Sequence, residues 1–233
     1  MTHRHHPALA AAFLALLADS AFATGDFVFA EDFEGAPACG GGLVVIATPA
    51  AQSTTLGTHV RYLVKVRACS GAGVVNLGET GVPASWTIAF DPSNLTIAGG
   101  ATGIASMSVA VPTTGDSGLG TFDLTAQDGP DVSHGSATLD VANEFIVHFA
   151  PDGTGTGPHA FPPSLTLKAG AKIRIVDDDT TLGHRIHGDG GVPHQAGDMF
   201  AGQEFDVTIN SAGDFYCHDH GMAEGETFVY ISP

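Results

Sequence analysis

Short runs of alternating apolar and polar residues, each ended by a cluster of Gly, Pro, Asn or Asp, recur along this chain and exclude most folds at once. In HVRYLVKV at 59–66, Val60, Tyr62, Val64 and Val66 share one face of an extended segment. A period of two marks a strand half-buried against a core. WTIAF at 86–90 repeats the pattern with Trp86, Ile88 and Phe90, and LVVIA at 43–47 and the stretches around 107–111, 122–126 and 137–141 read the same way. Turn clusters such as Asp91-Pro92-Ser93-Asn94 and Gly99-Gly100 separate them. About seven strands at this spacing predict a β-sandwich over 43–142. Abundant glycine and sparse charge suit an all-β protein with many tight turns.

Trp86 sits on an alternating strand and is expected in the core. His59 and His134 have no metal-ligand spacing to one another, and both are read as surface residues. Asp116, Asp123, Asp128 and Asp131 lack the spacing of a calcium loop. Near 141–144 the chain enters a second domain, 143–233, with EFIVHFAPDGTG and then SLTLKAGAKIRIV, in which Leu165, Leu167, Ile173 and Ile175 are expected to point inward.

Ahead of both domains, Arg4, the short apolar stretch at 7–18 and the small-x-small site Ala21-Phe22-Ala23 predict a signal peptide over 1–23. The product is then exported, to the periplasm or beyond. The apolar run is too short to span a bilayer, and no cysteine follows it to carry a lipid. Residues 24–42 are read as a leader with little regular structure. A formal charge of −17 with only eight Lys and Arg excludes nucleic acid as a partner, since phosphate binding needs clustered cations. Three cysteines in an exported chain leave one unpaired. Cys39 and Cys69 are expected to pair, which leaves Cys217 as the odd thiol, one that a metal would hold as thiolate.

That thiol lies in DFYCHDHGMAEGETFVYI at 214–231, where an aromatic strand delivers Cys217 to its end and His220 follows three residues later. A thiolate and an imidazole on one short loop suit copper or zinc, and a weak thioether beyond them, here Met222, is the donor pattern of blue-copper carriers. LGHRIH at 182–187 offers His184 as a second imidazole. His187 falls on the opposite face of an extended HRIH, and His194 belongs to a Gly-rich surface loop.

KIRIVDDDTTLGHRIHGDGG, FAGQEFDVTINSAGDFYCHDHGM and GETFVYI together resemble the cupredoxins of plastocyanin and amicyanin type, over about the last ninety residues. The resemblance implies a Greek-key β-sandwich with one type 1 copper, bound by His184, Cys217 and His220, with Met222 axial and Glu224 or the Gly183 carbonyl as alternatives. GVPASWTIAFDPSNLTIAGG, SMSVAVP and GTFDLTAQDG resemble bacterial Ig-like modules. The whole is expected to be all-β, two β-sandwich domains in series. Two features depart from the cupredoxin pattern. Arg185 stands where a small polar residue is usual, with Asp219 or Glu224 as expected partners, and Met222 follows His220 by two residues instead of three. The implied function is one-electron transfer to an unidentified redox partner protein, and not catalysis on a substrate of its own. Copper storage or delivery, or a structural protein with a metal-free cupredoxin domain, are the alternatives. Only His218 and His220 make a His-x-His pair after the signal peptide, too few for a trinuclear oxidase cluster.

Overall fold

The computed structural model describes residues 42–71, 73–149, 164–181, 183–189, 195–219 and 226–232. All of them fall within one unit, Ala36–Pro233. Regular structure among them is strand only. The region before Asn143 contributes β1 (Leu43–Thr48), β2 (Ala51–Thr55), β3 (His59–Ala68), β4 (Gly73–Thr80), β5 (Thr87–Asp91), β6 (Asn94–Ile97), β7 (Thr102–Ala110), β8 (Gly118–Asp128) and β9 (Asp131–Ala142). The rest contributes β10 (Glu144–Phe149), β11 (Ser164–Lys168), β12 (Lys172–Asp177), β13 (Ile186–Asp189), β14 (Glu204–Thr208), β15 (Gly213–Asp219) and β16 (Glu226–Ser232).

The first nine strands form two sheets, ordered β1-β3-β7-β5 and β2-β9-β8-β4-β6. Only β2 and β9 pair in parallel. Taking β1, β3, β4, β7, β8 and β9 as A, B, C, E, F and G reproduces the A-B-E and G-F-C neighbours of an Ig sandwich. One crossing differs. The strand beside E (β5) precedes the strand beside C (β6), the reverse of the Ig order.

Alternation explains the burial. Tyr62, Val64 and Val66 of β3 are buried while Arg61, Leu63 and Arg67 are exposed, so one face of β3 meets the second sheet. Tyr62 packs edge-on against Phe122 of β8, ring centroids 5.8 Å apart, and its hydroxyl donates to the Thr138 carbonyl at 2.7 Å. Trp86 is buried and its indole N–H donates to the Asp116 carbonyl at 2.9 Å. His59 and His134 are exposed.

Nine strands stand where the rhythm predicts about seven. β2 and β6 lie at sheet edges, β2 carrying the polar AQSTT and β6 only the four residues NLTI, and β4 holds Gly73 and Gly78 within its run. Edge strands bury one flank only, and glycine blurs a period of two.

The last seven strands form a second pair of sheets, β10-β12-β14 and β11-β16-β15-β13. β10 with β12 and β11 with β16 are parallel, and the other pairs antiparallel. Leu165, Leu167, Ile173 and Ile175 are all buried, as their alternation requires. Asn143 alone separates β9 from β10. Around it, Leu56 N–H donates to the Glu144 carbonyl at 2.9 Å. The buried Glu144 carboxylate takes Lys172 at 2.7 Å and Arg174 at 3.1 Å. Glu144 is the first cause of the raised Lys172 pKa.

Candidate metal centre

β12 ends at Asp177, and two more aspartates follow it into different surroundings. Asp177 and Asp179 are buried, and Asp178 is exposed and paired with His148 at 2.7 Å. Two Asx turns follow. Asp179 N–H donates to Asp177 Oδ1 at 2.8 Å, and Asp179 Oδ1 accepts from the Thr181 N–H at 2.7 Å and the Thr181 hydroxyl at 2.6 Å. The second oxygen of Asp179 faces His184 Nε2 at 3.4 Å.

His184 is 0% exposed. Its backbone is fixed by an antiparallel bridge to Met199, with His184 N–H donating to Met199 O at 3.1 Å and Met199 N–H to His184 O at 2.6 Å. Gly183 is packed as closely, because a Cβ there would lie 3.1 Å from the Phe200 ring and 3.3 Å from the Met199 carbonyl. Arg185 turns outward and pairs with Asp198 at 2.7 Å. Ile186 is buried again. The sequence reading gave Arg185 two partners, Asp219 and Glu224, and did not consider Asp198.

From Ile186 the chain joins β15, with Ile186 across from Asp219, His187 from His218 and Gly188 from Cys217. Gln195 covers the outer edge of β13, donating its N–H to the Ile186 carbonyl at 3.0 Å and accepting the Ile186 N–H on Oε1 at 3.0 Å. β13 therefore holds His184 beside the end of β15, and position 217 has the strand parity of the buried Phe215. His220, Met222 and Glu224 lie outside the described residues, as do Cys39 and His194. Among the described residues no group of three or more His, Cys, Asp or Glu side chains is arranged to hold a metal ion.

Of the expected donors, the described residues show the side chain of His184 and, by backbone register, the position of Cys217. A ligating imidazole characteristically gives its other ring N–H to a carboxylate, which fixes the ring and raises its basicity. Asp179 stands in that relation to His184. Sequence reasoning offered His184 as a ligand and did not consider Asp179, Met199 and Gln195, which the structure places around it. The i, i+2 spacing of Asp177, Asp179 and Thr181 was the available signal for the first, and nothing local announces the other two.

No family model matches the chain, and no curated protein does. Solved structures similar to part of it include amicyanin from Paracoccus versutus, at 18% identity over 39% of this chain and 83% of that one, with a TM-score of 0.32. A purple cupredoxin from Nitrosopumilus maritimus is similar at 14% identity, covering 37% of this chain and 98% of its own, with a TM-score of 0.33.

Proposed function

We propose that the chain is an exported copper protein that carries one electron at a mononuclear type 1 site. The observation that carries this reading is His184, a fully buried imidazole with Nε2 on the Asp179 carboxylate, beside the end of the strand that holds Cys217. In this reading His184, Cys217 and His220 make the ligand plane. Met222 is the axial donor, with Glu224 and the Gly183 carbonyl as alternatives. Copper, when bound, supplies a reversible Cu(I)/Cu(II) couple. With Nε2 engaged by Asp179, His184 would take the metal on Nδ1, and the Met199 bridge keeps the backbone from following a change of oxidation state.

The pairing of Cys39 with Cys69 belongs to the same reading. Its support is the Cys69 N–H, which donates at 2.8 Å to the carbonyl of Gly42, only three residues after Cys39. Residues 1–23 would direct export, and residues 43–142 would position the copper domain against its redox partner.

Metal analysis with redox titration tests the function. The protein without its signal peptide should bind one copper per chain and cycle reversibly between ascorbate and ferricyanide. Failure to bind copper, or copper lost on each reduction, would contradict an electron carrier.

A further inference from the structure

We propose that the side chain of Met199 is a positioning residue for His184, holding the imidazole at the one rotation that turns Nδ1 toward the proposed copper. This role rests on the copper reading above. Asp179 alone does not set that rotation. Its carboxylate oxygen faces Nε2 at 3.4 Å, and Nε2 lies close to the line of the Cβ–Cγ bond. Turning the ring about that bond therefore moves Nε2 little and swings Nδ1 widely. The torsion is of the broad, roughly two-fold kind that carries little preference of its own. A neighbour against the flat of the ring has to set it.

Met199 stands where that neighbour is needed. It lies directly opposite His184 in the antiparallel bridge, joined to it by both backbone bonds, at 3.1 Å and 2.6 Å. Residues opposed in this way send their side chains to the same side, with Cβ atoms about 4.5–5.5 Å apart, a gap that long side chains close. Both side chains are buried, His184 at 0% exposure and Met199 at 1%, so neither turns away to solvent. Alternation supports the assignment. Arg185 and Asp198, the next residues outward from the bridge, are exposed and pair with each other at 2.7 Å. An unbranched, polarisable thioether adapts its shape to a ring and gains from the sulfur contact. Held at its edge by Asp179 and on its face by Met199, the imidazole keeps Nδ1 in place in either oxidation state of a bound metal.

Ring dynamics of His184 in the metal-free protein, read by NMR relaxation of its ring carbons, test the role without any metal, with circular dichroism as the check on folding. The parent ring should be rigid, the Met199→Ala ring mobile, and the Met199→Leu ring rigid again, because leucine fills a similar volume. Met199→Val takes the place of the alanine variant if that one does not fold. Copper titration against a chelator is the second readout. Affinity should fall about tenfold in Met199→Ala, as for loss of other groups that orient a ligand, and stay within about twofold of the parent in Met199→Leu. A folded Met199→Ala whose His184 ring is as rigid as the parent's would overturn the role, and so would a Met199→Leu ring as mobile as that of the alanine variant. A parent that binds no copper would instead overturn the proposed function, and the ring dynamics would still decide whether Met199 holds His184.

Discussion

At the scale of single residues, Asp179 would decide which nitrogen of His184 faces the copper of the proposed site. One of its oxygens is committed to Thr181 and the other to Nε2. In Asp179→Asn the carbonyl oxygen stays with the Thr181 donors, so the amide NH2 is turned toward Nε2. That arrangement favours the tautomer with its proton on Nδ1, where the metal would bind. Copper affinity should fall about 10- to 100-fold, the usual effect of losing such an outer partner. Competition with a calibrated chelator measures it, and an unchanged affinity would remove Asp179 from the account. Tyr62 gives a second residue-scale test. Burial pushes its phenol up to about 12 from 10.0. A raised folded pKa means the stabilising contribution is complete below pH 10.0 and is lost as pH climbs toward about 12. Tyr62→Phe should cost about 1 kcal/mol at neutral pH through the lost bond to Thr138, and its denaturation midpoint should fall less than the parent's between those two pH values.

At the scale of elements, β8 meets the residue just before β5, Trp86, at a contact that leaves no room for a Cβ. A Cβ on Gly120 would lie 2.6 Å from the Trp86 ring, and that ring is anchored by its N–H to Asp116. Gly120→Ala should destabilise by about 1–3 kcal/mol, the range for overpacking a filled core. Chemical denaturation would show it, and a neutral result would mean the indole shifts freely. The same elements show what was legible in advance. β3 and the inward residues of β11 and β12 could be read from alternation, because each buries one face and wets the other. β2 and β4 could not, since edge position and glycine erase the pattern, and β6 alternates but over only four residues. In the candidate site, His184 and Cys217 were legible as candidate donors near strand ends. The Met199 bridge joins residues fifteen apart in sequence through a loop, and only tertiary packing creates it.

At the scale of the molecule, the passage from the first pair of sheets to the second takes one residue, Asn143. The junction carries the Leu56 to Glu144 backbone bond and the ion pair of Lys168 with Asp116 at 3.1 Å. Lys168 and the Ser85 hydroxyl together hold the Asp116 carboxyl below its usual range, with the hydroxyl the larger cause. The ion pair is exposed, so solvent screens it and it adds little to stability. A junction without a linker should nonetheless couple the halves. Scanning calorimetry on the metal-free protein should record one transition, and two separated transitions would establish independent domains.

The central claim is that Cys217 and His184 hold one copper, and the visible absorption spectrum of the protein loaded with one equivalent of copper tests it most directly. Thiolate-to-copper charge transfer should give an intense visible band in the parent, a weakened or shifted band in His184→Ala and none in Cys217→Ser. A band of unchanged position and intensity in Cys217→Ser would contradict the claim.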